Sequence, residues 1–278
     1  MYKFPYSNVE LADKVNSILA EYNVPLTLRQ VFYRLVALGL LNEEKVYKNL
    51  SRKLSRLREQ GLVSWDGIVD LKRQPEKESS WISPKEFFDT VSRSYKRDLQ
   101  QGQKKHIEVW CEKAVAIRQV TDKYDVNLLA GGGYRSSSAL YEAAKRFKNI
   151  GKPIVILYLG DFDPSGMDID RDIATRMLEF FGIKVDVQRV LLVHQDITAY
   201  SLLPSKVKLK DSRTPAYVAR YGFKNAYELD ALPPDILAKR LEEAIRRNMD
   251  IGLYESQVAN EGVDNAEIDR VIGSWNMS

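Results

Sequence analysis

Apolar positions in the first sixty residues recur at the spacing of amphipathic helices. Over residues 8–22, Val9, Ala12, Val15, Ile18 and Leu19 share one face. Pro25 interrupts the pattern, and Thr27 is placed to cap a second helix. In that helix Leu28, Val31, Phe32, Leu35 and Val36 form a core-facing stripe. Tyr33 falls off it. At about 100° per residue its side chain points roughly 130° from the centre of the stripe, and Arg29 lies one turn earlier on the same side. Gly39 closes this helix, and a third is expected from about Asn42 to Gln60, burying Val46, Leu50, Leu54 and Leu57. The stretch Gly61-Leu-Val-Ser-Trp-Asp-Gly67 reads as a β-turn-β wing. Three helices and a wing predict a winged-helix module over residues 1–72.

Beyond it the pattern changes. Residues 73–104 read as a connector, with Pro75, a Glu/Lys/Ser cluster, Pro84 and one helix around Glu86–Gln100. From 105 to 278 strand-like and helix-like runs alternate. His106–Lys113 reads as a strand ending in the carboxylate of Glu112, and a helical stretch follows to Tyr124. Asp125–Ala130 is a second strand, and Ser136 or Ser137 is placed to cap a helix running to Asn149. A continuous apolar run, Ile154–Gly160, has the look of a buried parallel strand. A helix over 167–181, a strand over 185–193 and a late helix from Asp235 to Asn248 complete the series. Such alternation predicts an α/β domain with a parallel, Rossmann-like sheet.

The acids at the strand ends carry the candidate chemistry. The run 154–160 is followed by Asp161-Phe-Asp163-Pro-Ser-Gly166. In open α/β sheets ligands gather beyond the carboxyl ends of the strands. Glu112 and the Asp161/Asp163 pair therefore belong to one edge, within reach of one hard cation such as Mg²⁺, or Mn²⁺. Asp163 before Pro164 is also a good helix cap, and the two roles are compatible. The acids Asp168, Asp170 and Asp172 read as solvated or helix-start residues. The Gly131–Ser136 loop is not a Walker motif, since no Gly-Lys-Ser/Thr follows it.

Composition narrows the classes. The chain has 278 residues, 44% of them hydrophobic, enough for a sizeable core. One cysteine, Cys111, excludes an intramolecular disulfide and a Cys-rich zinc site. Two histidines leave little material for a His-based metal site or a serine-hydrolase triad. No signal peptide or long apolar span suggests a membrane, and a cytoplasmic, nucleoid-associated protein is expected. The net charge of +4 says little, but its distribution says more. Between Lys45 and Arg58 lie six basic residues and no acid, with Lys45, Lys48, Arg52 and Arg56 opposite the apolar stripe. Such a face suits the phosphates of double-stranded DNA. Lys113, beside Glu112, is a further candidate DNA contact, and Lys206, Lys208, Lys210 and Arg213 add charge later in the chain.

With these residues in view, the chain resembles the A subunit of type IIB topoisomerase VI and its meiotic double-strand-break relatives. The strand ending in Glu112 and the later Asp161-Phe-Asp163-Pro-Ser-Gly166 look like a Toprim signature, and Arg29-Gln-Val-Phe-Tyr33 resembles the family's tyrosine element. Across nearly its whole length the chain looks like compact, stand-alone homologues associated with phages and mobile elements. The stretches that carry this are Leu28–Leu40, Ser64–Asp70, Glu108–Lys113 and Tyr227–Pro234. The resemblance implies a winged-helix domain followed by a Toprim domain. It makes Tyr33 the nucleophile, with Arg29 stabilising charge beside it and a Mg²⁺ ion on Glu112, Asp161 and Asp163. It also implies a 5′-phosphotyrosyl product and a two-fold homodimer, in which the tyrosine of one subunit meets the acids of the other. An ATPase B-type subunit is a possible partner. Two other readings stay open: a metal-dependent Toprim nuclease that uses water, and a DNA-binding protein without catalysis. A dehalogenase-type phosphatase ranks below both, since it would want its Asp-x-Asp motif on the first strand.

Overall fold

A computed structural model describes residues 4–69, 80–112, 117–131, 136–207, 211–222 and 224–274. The expected boundary at 72, Lys113, most of the glycine loop (132–135), Lys208 and Lys210 lie outside these residues.

Helix α1, Asn8–Ala20, starts with a reciprocal cap. The Ser7 hydroxyl accepts the Glu10 N–H at 3.2 Å, and the Glu10 carboxylate accepts the Ser7 N–H at 2.8 Å. It buries Leu11, Ala12, Val15 and Ile18, whereas Val9, expected inside, is exposed. About 200° of rotation separates positions 9 and 11, so only one of them can face the core. Strand β1, Leu26–Thr27, leads into α2, Leu28–Ala37, where Thr27 and Gln30 form a second reciprocal cap. Helix α3, Glu44–Glu59, buries Val46, Leu50, Leu54 and Leu57 as its periodicity predicts.

The wing is corrected. Residues 61–67 form turns without a strand, and β2, Ile68–Val69, pairs in parallel with β1. The reason is Arg58, which donates to the carbonyls of Trp65 at 2.8 Å and Ile68 at 2.9 Å. Its guanidinium also lies 4.4 Å from the centre of the Trp65 ring. These contacts hold the stretch as a stapled loop.

Helix α4, Pro84–Ser94, is shorter than predicted. The rest of the domain runs β3 (His106–Cys111), α5 (Arg118–Lys123), β4 (Asn127–Ala130), α6 (Ser137–Ile150), β5 (Ile154–Leu159), α7 (Gly166–Phe181) and β6 (Val185–Leu191). Then follow α8 (His194–Ala199), β7 (Ser205–Lys206), α9 (Thr214–Tyr221), β8 (Asn225–Ala226), a 3-10 turn (Leu229–Ala231), α10 (Pro234–Asn248) and α11 (Ile251–Ser274). The segment after α4 is tied to α11. Tyr95 donates its hydroxyl to Asp264 at 2.7 Å, and the Arg97 backbone N–H donates to Glu261 at 2.8 Å.

The protein is thus mixed α/β around a four-stranded parallel sheet of order β4-β3-β5-β6. Side chains alternate across it. Ile154, Ile156 and Tyr158 pack beneath α6 and α7, while Val155, Leu157 and Leu159 join the core that includes Leu237, Leu241 and Ile245 of α10. The crossovers either side of β4 use opposite faces, since α5 lies in the α10 core and α6 in the other. The chain therefore reverses direction across the sheet between β3 and β5, the position where α/β folds open a crevice. The α10-side core also contains Leu11, Val31, Leu50 and Tyr33, so the helical module and the sheet share one apolar interior. Among the described residues no helix is long and apolar enough to cross a membrane.

Candidate functional site

The carboxylates predicted from the strand ends lie at this reversal point. Cys111 pairs with Leu159, and the ladder extends one step further through the Glu112 N–H donating to the Leu159 carbonyl at 3.3 Å. Glu112 therefore stands beside Gly160, and Asp161 follows directly. On its other side Gly160 is bonded to the strand after β6, donating to Leu191 at 2.8 Å and accepting from Leu192 at 2.9 Å. A side chain at Gly160 would collide with the Tyr158 ring, whose hydroxyl donates to Glu112 at 3.1 Å.

Residues 161–166 alternate between half-buried and buried. Phe162 turns into a cluster with Tyr217, Tyr221 and Tyr227, and its backbone exchanges hydrogen bonds of 2.8 and 2.9 Å with Tyr227. Asp161 and Asp163, on either side of it, are half-buried. The Leu229 N–H donates to Asp161 Oδ1 at 2.7 Å, and the Gly166 N–H donates to Asp163 Oδ1 at 2.6 Å. Asp163 thus holds the first amide of α7, although the helix starts at Gly166 with Ser165 in the cap position and not at Pro164 as predicted. Any Cβ at Gly166 would run into the Asp161 carbonyl oxygen.

Each carboxylate is therefore anchored on a different partner, and among the described residues no three Asp, Glu, His or Cys side chains are drawn together as a metal cluster. The donor set itself, three half-exposed carboxylates without nitrogen or sulfur, is of the kind hard divalent cations take. The acids of α7 are not simply solvated as expected. Asp168 pairs with Arg171 at 2.6 Å, Asp170 with Arg189 at 3.1 Å and Asp172 with Arg176 at 3.3 Å.

Tyr33 requires a correction. Expected to point away from the core, it is 3% exposed. Its own module indeed packs on the other face of α2, but Tyr200, Leu202, Ala231 and Pro233 come from the later part of the chain to line a cleft of about 130 Å³ against it. Arg34 fastens this contact by donating to the Ala231 carbonyl. Arg29, one turn before Tyr33, has its guanidinium 5.8 Å from the Tyr33 ring centre and 5.3 Å from that of Tyr47. It grips Glu228 with two donors, Nε to Oε2 at 2.5 Å and Nη2 to Oε1. Burial pushes the Tyr33 phenol well above its ordinary range, and the charge and hydrogen bond of Glu228 push it further, against the opposing pull of Arg29. Burial alone would lower Arg29, but Glu228 more than offsets it and fixes the guanidinium as a cation.

Glu228 is the residue that sequence reasoning missed. It lies inside the Tyr227–Pro234 stretch, but a single glutamate before a short turn carries no spacing that marks a partner for Arg29. Its neighbour Leu229 bonds Asp161, so Tyr33, Arg29, Glu228, Leu229 and Asp161 form one connected series within a single chain.

On α3, Lys45, Lys48, Arg52 and Arg56 are all exposed, away from the buried stripe. Lys48 pairs with Glu44 at 2.7 Å, and Arg52 donates to Asn49 at 2.8 Å. Two other cations of the run are structural: Arg58 staples the loop, and Lys53 donates to Asn8 at 3.0 Å. No protein-family model matches the sequence, and no curated protein does.

Proposed function

We propose that this protein binds double-stranded DNA and cleaves it by tyrosine transesterification, in the manner of a topoisomerase VI A subunit. The observation that carries this reading is the connected series from Tyr33 and Arg29 to Asp161. It couples a tyrosine and a cation on α2 to the acid-bearing edge of a parallel sheet, and the next helix along the chain presents a basic face. In this reading residues 1–72 act as the DNA-binding domain of the winged-helix type, without the wing expected over 61–67, and 105–278 as the Toprim domain.

The chemistry assigned to the chain's own groups is simple. Arg29 binds a non-bridging phosphate oxygen through its planar fork. The Tyr33 oxygen bonds to phosphorus, the P–O3′ bond breaks, and the strand ends as a 5′-phosphotyrosyl link with a free 3′-hydroxyl. The phenol gives up its proton to water on attack, and the leaving O3′ takes one up from water as the P–O3′ bond breaks. Glu112, Asp161 and Asp163 would hold Mg²⁺ or Mn²⁺, which supplies charge neutralisation on the phosphate and the leaving oxygen. A two-fold homodimer would cut both strands, each chain using its own Tyr33 and acids where the resemblance implies that they come from different subunits. An ATPase B-type subunit would add gate control.

A second reading has its own support. The Tyr33 phenol is buried and disfavours ionisation, whereas the three carboxylates are half-exposed. A Toprim nuclease that uses water would need only the latter. Supercoiled plasmid incubated with protein and Mg²⁺ or Mn²⁺, then denatured with and without protease, separates the two. Transesterification leaves protein attached to 5′ ends, and Tyr33→Phe abolishes all breaks. Free ends that persist in Tyr33→Phe and vanish in Asp161→Ala establish hydrolysis. Binding without any break rejects both.

A further inference from the structure

The partner of Arg29 does not suit a cation meant to meet DNA. A bidentate carboxylate on a guanidinium fills the same two donors, in the same plane, that a phosphate would use. Glu228 does this from 199 positions away in sequence, so the contact is tertiary and not an accident of helix spacing. Its reach is local, because the following residue, Leu229, donates to Asp161 Oδ1 at 2.7 Å. Some 37% of the Arg29 side chain remains exposed, against 18% for Glu228. The guanidinium is thus reachable from solvent while it holds the carboxylate.

We propose that Glu228 is an internal latch: its carboxylate occupies Arg29 in place of a DNA phosphodiester, and a phosphodiester that binds there frees Tyr33 and Asp161 together. Exchange of one anion for another leaves the charge of Arg29 compensated throughout. It removes the negative group beside the Tyr33 phenol, and it loosens the turn that engages Asp161 through Leu229. The latch makes the tyrosine and the acid available only when duplex is present. The meaning of that release for cleavage rests on the proposed function; the competition at Arg29 does not.

The test is duplex binding in EDTA, where nothing is cut. Glu228→Gln keeps the shape of the side chain and removes its charge. It is expected to bind a short duplex about fivefold to tenfold more tightly than wild type, since a charge-assisted fork no longer has to be broken. Glu255→Gln, an exposed acid on α11, controls for net charge and is expected to change binding by less than about twofold at ordinary salt. In the Arg29→Ala background Glu228→Gln is expected to gain nothing. Equal or weaker binding by a folded Glu228→Gln, or the same gain without Arg29, overturns the latch.

Hydrogen exchange on the wild-type chain gives a second reading that needs no variant. Adding duplex is expected to speed exchange of the Leu229 amide, and unchanged or slower exchange overturns the proposal. Both measurements read binding alone, so a protein that never cleaves DNA can still show the latch. Conversely, one that cleaves through Tyr33 but shows no gain in Glu228→Gln loses the latch and keeps the proposed function.

Discussion

At the scale of single residues, the most heavily constrained carboxylate lies away from the candidate site. Glu108, at the middle of β3, is fully buried on the face that carries His106 and Trp110. Burial pushes its carboxyl up, but His106, the fork of Arg146 at 2.7 and 2.8 Å and the Trp110 indole at 2.9 Å more than offset this, holding it at about 2. A carboxyl held low in the folded state adds stability above the ordinary glutamate range, where the unfolded chain is also ionised. That stability is lost as pH falls from the ordinary range toward about 2, because the unfolded chain takes up a proton that the folded chain refuses. Denaturation followed from neutral to acid pH should therefore show an acid limb that is shallower in Glu108→Gln than in wild type. Arg146→Ala leaves the buried charge without its main partner and is expected to cost about 2–4 kcal/mol at neutral pH, read from the denaturation midpoint. Tyr33 marks the limit of such residue-level reading from sequence. Its angle on α2 does follow from its number, and that angle does face away from the module's own core. What covers the exposed-looking face begins near residue 200, and helical periodicity carries no information about so distant a partner.

At the scale of elements, legibility follows length. The stripe of α3, the apolar run of β5 and the bounds of α7 are readable because each repeats its signal over several turns or a full strand. The two-residue strands and short helices between 194 and 226 lack that repetition, so neither they nor the bridge from Phe162 to Tyr227 was legible. The loop at 61–67 failed differently. Two glycines around a Trp-Asp pair specify turns, but a hairpin and a loop stapled by Arg58 want the same turn residues. The hydrogen bond of Asp163 to the start of α7 and its proposed ligand role can be separated. Asparagine caps a helix about as well as aspartate, whereas alanine does not. Asp163→Asn is therefore expected to keep the melting temperature and lose cleavage, while Asp163→Ala loses cleavage and about 1 kcal/mol of stability as well. Thermal melts beside the plasmid assay check this, and full cleavage by a folded Asp163→Asn would remove Asp163 from the proposed ligand set.

At the scale of the whole molecule, the proposed function requires the basic helix and the acidic sheet edge to act on one duplex. The shared apolar core joins the helical module to the sheet, and Arg34 with Ala231, Asn42 with Pro204 and Arg29 with Glu228 add polar ties across the same contact. DNA docked on α3 would therefore be held against a body whose carboxylate edge is repulsive to phosphate until a cation is bound. The basic face must supply the attraction by itself. If Lys45, Lys48, Arg52 and Arg56 each neutralise a phosphate, binding should weaken steeply with salt, and replacing all four with alanine should lower the slope of log K against log salt by about 3–4. All four are exposed and make no core contact, so the substituted protein should melt within about 1 kcal/mol of wild type. A titration of short duplex at several salt concentrations in EDTA measures the slope without cleavage. An unchanged slope in the fourfold variant would move the interface off α3, leaving the cations near Lys206 and Arg213 as the next surface to test. A slope that falls as expected would place the duplex on α3, and the Glu228→Gln comparison then decides whether the Glu228 carboxylate gives way to it.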